Sequence, residues 1–327
     1  MELITKKTIR LYSGRAHPAL AVDIAESLDL PLGHANLRDF PNGEVHCRFG
    51  ENLRGADVFV IQTHCESGDR SVNDAIMEQL TMIDAAKRAS AKRITAVCPL
   101  YGYSRQDRKA EGREPISAKL VADLLTVAGA SRMLSVDLHS GQIQGFFDKP
   151  VDHLTAMPVL LECIRAEFGN DVVVVAPDAG RVKVAERFAQ HLEADLAFVH
   201  KRRIKGVATE VEAKGVIGEV AGRRCVIIDD RIDTGGTIVA AGEILMDNGA
   251  TEVWAMATHG VLADPAIDRL KNSIISRVVV TDTVPVPDDR RIDKIEVLSV
   301  ARIIADAIDA VFQEKSVSEL FGGENQT

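Results

Sequence analysis

The sequence predicts an α/β protein of two domains, each a mainly parallel sheet flanked by helices. Short apolar, β-branched runs recur, as in residues 57–63 and 171–176, with the length and continuity of strands buried on both faces. They alternate with apolar residues at helical spacing, such as Ile76, Leu80, Met82, Ile83 and Ala86, which is the alternation that builds parallel sheets. An order of strand, acid, glycine loop and helix appears in both halves, although the halves are too dissimilar to assert a repeat. At 327 residues the chain is long enough for two full cores.

Taken in order, residues 8–12 and 57–63 read as strands, separated by a loop at 39–45 whose Pro41-Asn42-Gly43 is a turn signal. Turn chemistry explains Asn42 and Gly43, while Phe40 beside Asn42 and Glu44 offers a ring for stacking and polar groups for a purine edge. A helix is expected over 71–89 and a strand over 93–99. The strand leads into a glycine-containing loop, Tyr101 to Arg113, with four cations among Arg105, Arg108, Lys109 and Arg113. Such a loop lies at the carboxyl edge of a sheet, where open α/β folds bind ligands. A helix from Pro115 to about Ala128 follows, then a strand from Met133 ending in Asp137 and His139. Pro150 and Pro158 mark a boundary between domains 1–155 and 156–327, the last helix being free to pack on the first domain.

The second half restarts with a helix and a strand from Asp171, then Asp178, Ala179, Gly180 and Arg181 in a loop, and a helix over 184–192. A strand at 196–200 runs into Lys201, Arg202 and Arg203, at the head of a polar connection to Gly218 without core periodicity, long enough to close over a site. Strands at 252–258 and 278–281 and a helix at 298–313 complete the chain, with Val300, Ile303, Ile304, Ala307, Ile308 and Val311 as its apolar stripe.

Between these lies the most informative stretch, Arg224 to Ile238. A buried strand is expected to end at Asp229 and Asp230. Asp233, Thr234, Gly235, Gly236 and Thr237 then turn into a helix carrying Ile238, Ala241, Ile244 and Leu245. Glycines let the loop amides face a ligand, and the helix start adds its dipole, which together make a phosphate site. Carboxylates would repel a bare phosphate but accept hydrogen bonds from sugar hydroxyls or bind a cation. A phosphorylated ribose satisfies both; capping a helix needs one acid, and this stretch has three.

Composition narrows the partners. Aromatics are 4%, which disfavours a stacking platform for single-stranded nucleic acid, and a net charge of −9 argues against duplex DNA. The five cysteines form no C-x-x-C pair and suit reduced thiols in the cytoplasm. No secretory leader or membrane-length apolar segment is evident, so a soluble cytoplasmic protein is expected.

Taken together, Phe40-x-Asn42-Gly43-Glu44, Gly102 to Lys109, Asp137-Leu138-His139, Gln142 to Phe147, Pro177 to Gly180, Lys201 to Arg203, Asp229 to Thr237 and Ser316 to Phe321 resemble the ribose-phosphate pyrophosphokinase family over nearly the whole chain. The resemblance implies two phosphoribosyltransferase-like domains and transfer of the pyrophosphoryl group of ATP to ribose 5-phosphate, with Mg2+ as cofactor. It implies ATP contacts at Phe40, Asn42, Gly43, Glu44, Arg105, Gln106 and Asp107, and metal-linked positions at His139 and Asp178. The pyrophosphate loop would be Asp178, Ala179, Gly180 and Arg181, and the catalytic cations Lys201 and Arg203. Ribose 5-phosphate would lie on Arg203, Asp229, Asp230, Asp233, Thr234, Gly235, Gly236 and Thr237. A homohexamer is implied, with Arg113, Ser316 and Ser318 as candidates for a regulatory site.

One departure stands out. The family often has two glycines and a later arginine in the pyrophosphate loop; here Arg181 replaces the second glycine and Val184 stands at the arginine position. Arg181 and Lys183 could restore the positive charge. Two other readings remain at this stage: a two-domain phosphoribosyltransferase, and an inactive synthetase-associated regulator that keeps the fold.

Overall fold

A computed structural model describes residues 7–203 and 212–322, with 201–203 and 212–214 described by backbone alone. The chain divides into two compact units, Met1–Thr155 with Thr283–Pro285 and Val300–Thr327, and Ala156–Asp282 with Val286–Ser299.

The first unit runs β1 (Ile9–Ser13), α1 (Pro18–Ser27), β2 (Ala35–Asp39), β3 (Val45–Phe49), β4 (Asp57–Ile61), α2 (Val72–Arg88), β5 (Arg93–Cys98), α3 (Ser117–Ala128), β6 (Arg132–Val136) and β7 (Val151–Leu154). Its sheet has the order β1-β4-β5-β6-β7, and every pairing in it is parallel. All five residues of β4 are buried, as an apolar strand covered on both faces requires. Ser71 and Asp74 form a reciprocal capping box at the start of α2, and Lys87 and Arg88 complement the dipole at its end. The region around 39–45, read from sequence as a loop, is the tip of an antiparallel hairpin formed by β2 and β3. Both strands are half-exposed, so neither shows the apolar run that marks β4.

The second unit comprises α4 (Met157–Phe168), β8 (Val173–Ala176), α5 (Val182–Leu192), β9 (Asp195–Arg203), β10 (Glu212–Ile217), β11 (Arg224–Ile232), α6 (Gly236–Asp247), β12 (Glu252–Gly260), α7 (Ala266–Lys271), β13 (Arg277–Thr281) and β14 (Ile295–Leu298). Its sheet has the order β10-β9-β8-β11-β12-β13-β14, antiparallel only at β10. The polar connection to Gly218, read as lacking core periodicity, contains a strand at Glu212–Ile217, and β9 extends through Arg203 because β10 pairs along it. The central strands β8, β11, β12 and β13 supply most of one continuous apolar core with α6.

The last helix, α8 (Ala301–Phe312), returns to the first unit and packs on α1 with Ile304, Ala305 and Ile308 on its buried side. Among the described residues no helix is long and apolar enough to cross a membrane.

Candidate active site

In the second unit β8 stands between β9 and β11, so the chain leaves β8 toward one side of the sheet and later returns on the other. Such a reversal opens a crevice beyond the carboxyl ends of the two flanking strands. After β8 comes the loop Asp178–Arg181, and the acids Asp229 and Asp230 stand near the end of β11, before the 233–235 turn into α6.

The strand expected to stop at the acids continues through Asp229 and Asp230 to Ile232, because long β12 offers partners that far, Asp229 opposite Ala257 and Arg231 opposite His259. The turn then depends on Gly235, whose φ of 74° is left-handed. Helix α6 begins at Gly236, and no side chain caps it. Its first amides thus have no side-chain acceptor, and with the positive end of the dipole they have the chemistry that suits an anion. Arg269 on α7, which the sequence reading passed over, donates to the Thr234 carbonyl at 3.0 Å and braces this loop. A Cβ on Gly236 would come within 3.3 Å of that same guanidinium. Gly235→Ala is expected to cost roughly 1–2 kcal/mol for placing a side chain in left-handed backbone, read as a lowered urea midpoint.

Asp229 and Asp230 are both largely buried, and the guanidinium of Arg181 lies across them: Nε is 3.0 Å from Asp229 Oδ1 and a terminal nitrogen 2.7 Å from Asp230 Oδ1. Burial, then the neighbouring Asp230 carboxylate, push the Asp229 carboxyl up, and Arg181 opposes that rise. Asp178 turns the β8 loop by accepting from the Gly180 amide at 2.8 Å. Arg231 pairs with Asp233 at 2.6 Å. Thr234, Thr237 and Lys183 are exposed. Lys201 and Arg203 lie in β9 by backbone, and their side chains fall outside the described residues.

In the first unit the β2–β3 tip is a tight turn. The Phe40 amide donates to the Glu44 carbonyl and the Gly43 amide to the Phe40 carbonyl, both at 2.8 Å. The Glu44 amide donates to Asn42 Oδ1 at 3.2 Å, so Asn42 does perform turn chemistry. Phe40 remains 41% exposed, with the Arg38 guanidinium 5.5 Å from its ring centre and His46 edge-on at 5.7 Å. The base of the hairpin is anchored by a network that sequence inspection could not see. Asp39 accepts from both Arg15 and Arg70, and both arginines also reach Glu78 on α2, which is fully buried. Hydrogen bonds from Arg15 lead the causes that hold the Asp39 carboxyl down to about 2.

The Tyr101–Arg113 loop leaves β5 with Arg105 and Gln106 exposed and Asp107 receiving a hydrogen bond from Ser140 at 2.5 Å. Its root is held by buried His64, whose Nδ1 accepts from the Gly102 amide at 2.9 Å while Nε2 meets Gln79 Oε1 at 2.8 Å. That pattern requires the neutral ring with its proton on Nε2. Burial holds His64 down to about 4, below the ordinary 6.5. The contribution is complete above pH 6.5 and declines as pH falls toward 4, where the unfolded chain binds the proton first. Unfolding free energy is therefore expected to drop by roughly 3 kcal/mol across that window, and His64→Asn to flatten that part of the urea-derived profile.

His139 lies just past the end of β6, half-buried, and Arg113 is exposed at φ 72°. Ser316 and Ser318 hydrogen-bond each other at 2.9 Å. A 380 Å³ cavity opens at the amino ends of β4, β5 and β6, the edge opposite the Tyr101–Arg113 loop. Its Asp57 pairs with Arg93 and its Asp152 with Arg132, so these charges are matched from within.

Residues 9–129 match the family model described as the N-terminal domain of ribose phosphate pyrophosphokinase, and residues 205–322 match the phosphoribosyl synthetase-associated domain. A ribose-phosphate pyrophosphokinase of Bifidobacterium longum is 56% identical over 319 residues, 96% of this chain and 93% of that one. The chain belongs to the ribose-phosphate pyrophosphokinase family. Another relative bearing that name, from Streptomyces avermitilis, is 54% identical over 317 residues, 97% of each chain. Among solved structures, the phosphoribosylpyrophosphate synthetase of Mycobacterium smegmatis matches with a TM-score of 0.88 at 50% identity, covering 94% of this chain and all of that one.

Among the described residues no three His, Cys, Asp or Glu side chains gather into a metal cage. The donors still fit a pyrophosphokinase using Mg2+, since that ion keeps several waters, takes substrate phosphates and needs only one or two protein carboxylates. Asp178 supplies an oxygen of the right kind; the imidazole of His139 is the less typical donor for so hard a cation.

Proposed function

We propose that the chain transfers the pyrophosphoryl group of MgATP to the anomeric hydroxyl of ribose 5-phosphate, giving 5-phosphoribosyl 1-pyrophosphate and AMP. The observation that carries this reading is the uncapped start of α6 a few residues after two largely buried carboxylates at the β8/β11 crevice. Amides at that helix start take the 5-phosphate, and Asp229 and Asp230 take ribose hydroxyls. Phe40 offers its exposed ring to adenine, with Asn42, Gly43, Glu44, Arg105, Gln106 and Asp107 around the nucleotide.

The anomeric oxygen attacks the β-phosphorus, the bond from that phosphorus to the α–β bridging oxygen breaks, AMP leaves with the electron pair, and the hydroxyl proton passes to solvent. Such transfers rest on in-line positioning and charge neutralisation. Asp178 and His139 are the residues that would hold Mg2+, which would supply neutralisation of the phosphate charge. Lys201 and Arg203 supply the cationic clamp, and the 178–181 loop flanks the pyrophosphoryl group.

Incubation with MgATP and ribose 5-phosphate, followed by chromatography, is expected to yield AMP. A phosphoribosyltransferase would leave ATP intact, and an inactive regulator would leave both substrates unchanged.

The reading extends to a cytoplasmic homohexamer regulated through Arg113, Ser316 and Ser318. In its support, α3 presents Leu120, Leu124 and Val127 with 56%, 42% and 75% exposure, an apolar stripe that association would cover. Light scattering tests the assembly.

A further inference from the structure

Arg181 is the one residue of the β8 loop whose side chain reaches the β11 carboxylates, and it does so with two different guanidinium nitrogens. Two adjacent, largely buried carboxylates repel each other and lose water, so they require a cation to remain together. A guanidinium is a rigid planar fork that meets two carboxylates from two separate nitrogens in fixed geometry, whereas an ammonium meets them from a single point. Its charge is thus engaged by the acids of β11, although the loop position alone suggests a role toward phosphate. The contact fixes both Oδ1 atoms, and the Asp230 amide adds a bond to Asp229 Oδ1 at 2.8 Å, so the two side chains are locked in rotation.

We propose that Arg181 is a positioning residue of the sugar site: by bridging Asp229 and Asp230 it sets the spacing and orientation in which they accept the ribose hydroxyls, and offsets their charge as the sugar phosphate arrives. This rests on the reading of Asp229 and Asp230 as sugar-binding acids. The bulky residue in the loop is then no impediment to the backbone but a strut between the loops after β8 and β11. Its side chain is 13% exposed, consistent with such a strut and unlike a solvated surface arginine.

Steady-state kinetics of Arg181→Gln and Arg181→Lys against each substrate test the proposal, with titration calorimetry of ribose 5-phosphate binding to Asp229→Asn as a companion. Arg181→Gln is expected to raise KM for ribose 5-phosphate about tenfold or more, with KM for ATP within about twofold. Arg181→Lys, keeping charge but losing the fork, should fall between it and the parent. Equal KM changes for both substrates, or none for ribose 5-phosphate, would overturn the proposal. If Arg181→Gln does not fold, Arg181→Lys decides alone: a selective rise in KM for the sugar supports the bridge, and parental kinetics reject it. Asp229→Asn separates the two levels. Undiminished sugar binding there removes the sugar-site reading itself, whereas lost binding with parental Arg181 variants removes only the role of Arg181.

Discussion

Lys201→Ala is expected to lower turnover by on the order of 10³-fold, the scale of removing a charge-stabilising cation from phosphoryl transfer. The backbone position is compatible with that proposed role. β9 runs parallel to β8, with Phe198 opposite Ala176, so residue 201 lies beyond the carboxyl end of β8, on the same sheet edge as Asp178 and the acids of β11. A cation that acts mainly in the transition state leaves ground-state binding nearly intact, so KM values should change far less than kcat. Quenched-flow measurement of AMP release at saturating substrates gives the comparison. Near-normal turnover would remove Lys201 from the mechanism.

The second large effect is expected at Glu78. Its carboxylate is fully buried and accepts from Arg15, Arg70 and the Gln62 side chain, while both arginines continue to Asp39. Glu78→Gln leaves two partly buried guanidinium groups sharing one half-exposed carboxylate, a loss on the order of 3–5 kcal/mol when a partner is removed from a buried pair. Urea unfolding should show it. The same change frees the base of the β2–β3 hairpin, and Asp39 immediately precedes Phe40, so KM for ATP should rise while KM for ribose 5-phosphate stays near the parent value. An unchanged urea midpoint would show that the network contributes nothing. A shared rise in both KM values would show general loosening rather than a hairpin effect. Acid should act in the same direction: the Asp39 contribution is present above the ordinary carboxylate range and is lost as pH falls toward about 2.

How far the site could be read beforehand depends on how local each signal was. The run Asp229 to Thr237 compresses acids, glycines and a helix start into nine residues, so its chemistry is visible in one dimension. The buried strands were legible for the same reason, since Val58 to Ile61 is apolar throughout. The hairpin strands were not, because half-exposed β2 and β3 mix charged and apolar residues without a clean period. The anchor of that hairpin was beyond reach: Arg15 and Glu78 are 63 residues apart, and Arg15 and Asp39 are 24 apart. Arg181 was visible as an anomaly in its loop, but only the sheet order, which sets β8 beside β11, reveals what it faces. Arg269 gave no signal, being one of two cations on a six-residue helix with no motif around it.

The return of α8 has a consequence for synthesis on the ribosome. The first unit begins at the amino terminus, yet the helix that covers α1 is specified by Ala301–Phe312. At about 5–20 residues per second, that helix emerges on the order of ten seconds after β7. Throughout that interval α1 lacks its native packing against α8. The nascent first unit therefore waits for its last helix, and a chain stopped before Ala301 lacks that helix altogether.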